Sequence, residues 1–349
     1  MRIAMIGPRG GGGIATHINE LTRQLEIRGN LITLVSPAQL PSPLAIARYV
    51  KKLASGYDIV HVHGSYDVPA LMAGLIATKA LGGGTVFTTH GTGSRYWRPG
   101  KRWGGLWRES AKRTDVIISV SKFVRRRMVQ VLGENPPRHY TIYNGVDTDF
   151  FNPAKDSSIA KRALGVSGKY VLLYIGRLAS NKGIGHLLSA MPSLRNEIRD
   201  VTLLIGGQGG MEGELRREAV RLRVSDVVEF RGYVPRELLP TYYGASDVVV
   251  VPSTYEPGGI IPLEAMSMKK PVIGAKTGGI AESLVNGVTG FLVPPGSPAA
   301  IADAVKRLHD DPDLAAELGQ NGRIMVVKRF TWEIAAQETL KAYSDAQFR

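Results

Sequence analysis

Asp247-Val248-Val249-Val250-Val251-Pro252-Ser253-Thr254-Tyr255-Glu256-Pro257-Gly258-Gly259-Ile260-Ile261-Pro262-Leu263-Glu264-Ala265-Met266 carries a strand, an acidic turn and the start of a helix in one unbroken run. Consecutive valines are apolar on both faces, which fits a strand inside a parallel sheet rather than one with a wet face. From Leu263 the pattern is helical. The turn between carries Glu256, and the first turn of the helix carries Glu264. Unpaired N–H groups at a helix start, with the helix dipole, favour an anion. Carboxylates beside that anion accept hydrogen bonds from neutral hydroxyls. Phosphate on amides and hydroxyls on carboxylates together describe a nucleotide sugar. Two Glu residues at this spacing also fit a solvated turn and helix face, so the surrounding sequence has to decide.

Working outward, short apolar runs alternate with helix-length segments. Ile3–Ile6, Leu31–Val35, Ile59–Val62, Val86–Thr88 and Val116–Val120 form one series. Val171–Ile175, Thr202–Ile205, Val227–Phe230, Asp247–Val251, Pro271–Ile273 and Gly290–Val293 form a second. Strand alternating with helix predicts α/β domains with buried parallel sheets, and two series predict two of them. The 349 residues also exceed the usual size of one hydrophobic core. The junction is expected near Asn152–Gly168, where Asn152-Pro153 and Ser157-Ser158 interrupt the pattern. In such sheets ligands bind outside the carboxyl ends of the strands, so a cleft shared by the two domains is the expected site.

Composition narrows the class. No run of eighteen apolar residues occurs, and the apolar start Ile3–Ile6 is too short for a signal peptide and reads as a strand. Cysteine is absent, which excludes disulfides and thiolate metal sites. A cytoplasmic protein is expected. The net charge of +14 is uneven: residues 1–150 hold 20 Lys and Arg against 9 Asp and Glu. That imbalance predicts that the first half meets something anionic.

The first strand runs into Gly7-Pro8-Arg9-Gly10-Gly11-Gly12-Gly13-Ile14-Ala15, and a helix follows. Glycines there let backbone approach a diphosphate closely. Gly10, Gly12 and Ala15 also satisfy the dinucleotide fingerprint, so a nicotinamide-dependent oxidoreductase is an alternative. That reading expects an acid after the second strand, where the chain has Val35-Ser36-Pro37. The second series opens with Gly176-Arg177-Leu178-Ala179-Ser180-Asn181-Lys182-Gly183. Arg177 is suited to grip phosphate oxygens in pairs and Lys182 to add a compact charge. Solvated surface cations are the plainer alternative.

In this order and spacing, with Asp58-Ile59-Val60-His61-Val62-His63, Thr89-His90-Gly91, Tyr143-Asn144-Gly145-Val146-Asp147, Gly232-Tyr233-Val234-Pro235 and Gly278-Gly279-Ile280-Ala281-Glu282, the chain resembles a retaining glycosyltransferase of the GT-B fold, glycosyltransferase family 4. The resemblance implies two Rossmann-like doubly wound domains facing a cleft. Residues 1–155 would form the acceptor-side domain and 166–328 the donor domain, with 329–349 a helix packing back on the first. It implies transfer of a hexose from a UDP- or GDP-linked sugar, with a nucleotide-sugar epimerase of the same fold as the alternative. Arg177 and Lys182 match the diphosphate pair, Glu264 the ribose acid and Glu256 the acid at the donor sugar. Gly258, Gly259 and Ile260 would approach sugar and phosphate through their amides. Gly12 and Gly13 match the loop that closes on the diphosphate, and His90 a histidine near the reacting centre. Val234 lies in a segment matched beside the base. Catalytic roles are therefore expected for Glu256, His90, Arg177 and Lys182.

No cofactor or metal is expected. The two Asp-x-Asp strings, Asp147-Thr148-Asp149 and Asp311-Pro312-Asp313, read as turn and cap. His61 and His63 alternate onto one strand face and read as a satisfied core pair. The chain departs from the family at Gly258, usually Phe or Cys, at Met268-Lys269-Lys270, usually a small residue and glycine, and at Gly29-Asn30, usually Gly-His. The first bears on pocket shape and the other two on structure.

On the acceptor side, Trp97, Trp103 and Trp107 lie among Arg95, Arg98, Arg102, Arg108 and Arg113, with Arg125-Arg126-Arg127 beyond. Aromatics among cations suit an anionic membrane surface. Trp97, Trp103, Trp107, Arg102 and Arg108 are accordingly expected to meet a membrane or a lipid-linked or anionic acceptor on the inner face. A core location for the tryptophans, or a lid over a soluble sugar acceptor, is the alternative. No nucleic-acid module accompanies the charges.

Overall fold

The computed structural model describes residues 1–8, 10, 12–36, 56–64, 83–91, 104–133, 137–153 and 157–347. The chain divides into two compact units: Met1–Gly145 with Trp332–Arg349, and Val146–Thr331.

In the first unit, β1 (Arg2–Ile6), α1 (Gly13–Ile27), β2 (Leu31–Val35), β3 (Ile59–Gly64), β4 (Gly84–Thr89), α2 (Gly104–Lys112), β5 (Val116–Ser119), α3 (Lys122–Leu132) and β6 (Arg138–Thr141) follow in turn. The six strands are parallel, in the order β2-β1-β3-β4-β5-β6. The order reverses between β1 and β3. Helix α1 buries Ala15, Ile18, Leu21 and Leu25, the three- and four-residue spacing of one helix face. Helix α3 is capped by Ser121, which accepts from Val124 N, and buries Val124, Met128 and Leu132. Lys122, Arg125, Arg126 and Arg127 point to solvent.

Trp107 corrects one expectation. It is 3% exposed and packs edge-on against Phe87 with ring centroids 6.3 Å apart, in the core with Val60, Val62 and Ile117. A ring on the inward face of α2 meets the sheet and not a membrane. Arg108, one residue on, is exposed. Trp97, Arg102 and Trp103 lie outside the described residues.

The second unit repeats the plan with α4 (Ser157–Ala163), β7 (Tyr170–Ile175), α5 (Ile184–Glu197), β8 (Val201–Gly206), α6 (Glu212–Arg221), β9 (Val228–Gly232), α7 (Leu239–Ala245), β10 (Val248–Val251), α8 (Ile260–Ser267), β11 (Val272–Ala275), α9 (Ile280–Ser283), β12 (Gly290–Val293), α10 (Pro298–Asp310) and α11 (Pro312–Arg329). Its parallel sheet runs β12-β11-β10-β7-β8-β9. The order reverses between β7 and β10, and Leu172, Leu203, Val248, Val250 and Ile273 pack under Leu187 and Met191 of α5.

The break between the two units falls at Gly145/Val146, ahead of the expected Asn152–Gly168 stretch. Residues 146–153 are tied to the second unit by bonds from far along the chain. Val146 N donates to Phe330 O at 2.9 Å, and Phe151 O accepts from Ser267 Oγ at 2.8 Å and Arg323 Nη1 at 3.0 Å. Helix α12 (Trp332–Gln347) belongs to the first unit, where buried Tyr343 meets His61 Nδ1 at 2.7 Å and Gln24 Nε2 donates to Glu333 Oε1 at 2.7 Å.

Candidate functional site

In the second unit Arg177, Lys182 and Glu256 sit on the loops after β7 and β10, beside the switch point, with Val234 and Glu264 elsewhere in the same unit. Arg177 and Lys182 follow β7, and Glu256 follows β10. Val234 follows β9, and Glu264 stands on α8. Lys182 Nζ lies 2.6 Å from Glu256 Oε2, and Ser253 Oγ donates to the same oxygen at 3.3 Å. Both charged side chains are largely enclosed, at 20% and 14% exposure.

Two loops distant in sequence hold this pair, and Asn181 clips them together. Asn181 O accepts from Thr254 N at 2.9 Å and Tyr255 N at 3.3 Å, while its Nδ2 donates to Tyr255 O at 3.2 Å. Gly183 ends the 3₁₀ turn Ser180–Lys182 with φ of 67°, and a Cβ there would sit 2.1 Å from Pro252 O. Only glycine meets both demands. Arg177 is exposed, and its carbonyl accepts from Tyr174 Oη at 3.0 Å. Burial, reinforced by the Glu256 charge, raises the Tyr174 phenol above its ordinary value, so it stays a donor.

Gly259 caps α8 with φ of 40° and leaves the helix start at Ile260 beside Glu256. Gly258 and the Pro257 carbonyl pack against Gly279, whose N–H donates to Glu256 O at 2.8 Å. Glu264 is 4% exposed and accepts from Tyr243 Oη at 2.6 Å. That buried phenol is held far above its usual range by burial first and the Glu264 charge second. Val234 is buried against Gly206 at the end of β8. Sequence reading did not single out Asn181, Ser253 or Tyr243. The partner of each lies elsewhere in the chain or one turn away, and residue type alone does not announce it.

Gly12, Gly13 and His90 lie in the first unit, after β1 and β4 near its own switch point. Gly12 caps α1 with φ of 110°, and Gly12 and Gly13 are both exposed. His90 follows β4, and its Nε2 lies 3.1 Å from His63 Nδ1. His17 of α1 joins them, with its Nδ1 2.8 Å from Asn144 Oδ1. Burial holds all three rings neutral, His17 pulled down to about 4 and His63 and His90 well below the ordinary imidazole value. Among the described residues, only His61 of the strand pair is satisfied at both nitrogens, by Tyr343 Oη and by Thr88 Oγ1 at 2.6 Å. The two Asp-x-Asp strings serve the backbone: Asp147 Oδ1 accepts from Asp149 N and Phe150 N, and Asp311 Oδ1 caps α11 through Leu314 N.

Chemically, the second unit offers a guanidinium, an ammonium and a helix start toward an anion. Two carboxylates, Glu256 and the buried Glu264, belong to the same unit, and a carboxylate can accept from hydroxyls. Residues 156–325 match the family of glycosyl transferases group 1, and residues 38–150 match glycosyltransferase family 4. A GDP-mannose-dependent phosphatidylinositol monomannoside mannosyltransferase of Mycolicibacterium smegmatis is 31% identical over 84% of this chain and 78% of its own length. The alpha-maltose-1-phosphate synthase of the same species is 29% identical over 98% and 99%. Among solved structures, sucrose-phosphate synthase from Thermosynechococcus elongatus superposes with a TM-score of 0.84 at 23% identity over 98% of each chain. Anabaena Alr3699/HepE in complex with UDP-glucose gives 0.83 at 24% over 99% of each. With two parallel six-stranded Rossmann-like sheets of the GT-B fold and family matches over both of them, the chain belongs to the group 1 glycosyltransferases of family 4.

Proposed function

We propose that this glycosyltransferase moves a hexose from a UDP- or GDP-linked donor with retention of anomeric configuration and without a metal. The observation that carries the reading is the Lys182–Glu256 pair at the switch point, with Arg177 on the same loop. Breaking a sugar–phosphate bond develops positive charge on the sugar and negative charge on the departing diphosphate. Arg177, Lys182 and the amides at the start of α8 would meet the growing negative charge, which is the role of a preorganised electrostatic site. Glu256 would hold a donor-sugar hydroxyl and Glu264 the ribose. No side chain is assigned as a covalent nucleophile, so same-face attack assisted by the leaving phosphate is the mechanism proposed. Gly12, Gly13 and His90 are assigned to the diphosphate and reacting centre.

For the acceptor we propose an anionic or lipid-linked molecule. The exposed cations of α3 and Arg108 support an anionic surface as the place where it is met. Among the described residues no helix is long and apolar enough to cross a membrane. The test incubates the protein with UDP- and GDP-hexoses and candidate acceptors, with and without EDTA, and follows the anomeric proton of the product by NMR. Retention with EDTA present supports the proposal. Inversion or full loss on chelation would overturn it, and donor conversion without any acceptor would instead indicate an epimerase.

A further inference from the structure

His17, His63 and His90 form a cluster that the transferase reading only partly uses. One nitrogen of each ring lies within 4.8 Å of one from each of the others. Ring centroids stand 5.2 Å apart for His17–His63, 4.7 Å for His17–His90 and 5.3 Å for His63–His90. Three imidazoles around a tetrahedral zinc-class ion, with bonds of about 2.0–2.1 Å, bring their nitrogens to about 3.3–3.4 Å of one another. Adjustment of the side chains by about an ångström would close the set onto an ion of that size.

Two nitrogens of the cluster, His17 Nε2 and His63 Nε2, are buried and make no hydrogen bond among the described residues. Asn144 Oδ1 can only accept, so the His17 proton sits on Nδ1 and Nε2 presents a bare lone pair. A ring whose second nitrogen is anchored on an amide oxygen is how proteins commonly orient a metal-ligating histidine. Trp332 stacks edge-on against His17 at 5.3 Å and limits its rotation. Burial also keeps the rings neutral, the form that binds a metal. An all-imidazole set without a carboxylate suits zinc, copper or nickel far better than magnesium or calcium.

We propose that His17, His63 and His90 bind one zinc-class divalent cation, with Asn144 orienting His17 from behind. His90 is the least buried of the three and marks the side from which the ion enters. Loading occupies the lone pair of His90, so the ion inhibits transfer and does not assist it. That consequence rests on the function proposed above, whereas the binding does not.

The experiment titrates the full chain with Co²⁺, without nucleotide, and reads the visible absorption of imidazole-bound cobalt, with Zn²⁺ as competitor. One equivalent per chain is expected, displaced by zinc, with at least tenfold weaker binding in His17→Gln and His90→Gln. His309→Gln, in the other unit, should bind as the wild type does. Circular dichroism identifies the folded variants, and His90→Gln, at the edge of the cluster, serves if His17→Gln fails to fold. No stoichiometric uptake by the wild type, or undiminished uptake by a folded cluster variant, would overturn the site. Because no donor is present, failure of the transferase reading leaves this result intact. A bound ion that spares transfer would refute the inhibition.

Discussion

Lys182 Nζ and Glu256 Oε2 lie 2.6 Å apart although 74 residues separate them in sequence. The contact exists because β7 and β10 are neighbours at the point where the strand order reverses. On the function proposed, each charge would neutralise the other until a ligand brings a phosphate for the lysine and a hydroxyl for the carboxylate. Lys182→Met should therefore lower transfer by about 10²–10³-fold, the usual loss when one donor to a developing anion is removed. Arg177→Ala should abolish transfer with the fold intact, since its side chain is exposed. Nucleoside diphosphate release, read beside circular dichroism, checks both; normal transfer by a folded variant would sink the assignment.

Glu264 has a structural duty as well as its assigned one. Its buried carboxylate accepts from Tyr243 Oη at 2.6 Å. Truncation to alanine orphans that phenol and is expected to cost about 1–3 kcal/mol of stability. Glu264→Gln keeps an acceptor for Tyr243, so it should fold well and still bind the donor more weakly. Tyr243→Phe should lose stability and keep most of the donor affinity. Equal donor affinity in wild type and Glu264→Gln, by calorimetry, would remove the ribose role.

Lys269 occupies a left-handed conformation, φ 55°, at the end of α8. The family resemblance implies glycine here. A side chain in that region costs roughly 1–2 kcal/mol relative to glycine. Lys269→Gly is expected to stabilise the second unit by about 1 kcal/mol. A lower unfolding midpoint would show that the lysine makes compensating contacts.

The buried histidines predict an acid sensitivity of the first unit. Burial lowers His17 from 6.5 to about 4 and His61 to about 3, and His63 and His90 shift the same way. A depressed base binds fewer protons folded than unfolded. Stability therefore rises with pH across the window from the folded value to 6.5, and is lost as pH falls through it. Melting curves between pH 7 and 5 should show the midpoint falling, with a shallower slope in His17→Gln. A flat profile would contradict neutral burial.

Much of this architecture is legible in the residues because most strands are apolar on both faces, which only a covered parallel sheet explains. Strand β6, Arg138–Thr141, escaped because it pairs on one side only, at the sheet edge, and can stay polar. The domain boundary was misread at Asn152-Pro153 because the bonds that claim residues 146–153 come from Ser267 and Arg323. Trp107 misled because a cation-flanked tryptophan looks alike on a surface or pointed inward. In the site, Arg177, Lys182, Glu256 and Glu264 stand out through type and position. Asn181 and Tyr243 do not, since their contacts exist only in three dimensions. His17 carried one signal, an imidazole on the inward face of the helix after the glycine loop.

If the second unit grips a nucleoside diphosphate as proposed, Arg177 and Lys182 hold it. Thermal unfolding of wild type and Arg177→Ala with UDP, GDP, ADP, NAD and NADP, each with and without EDTA, tests it most directly. A higher midpoint is expected with one nucleoside diphosphate, unchanged by EDTA and lost in the variant. A shift only with NAD or NADP, or one that survives in Arg177→Ala, would contradict it.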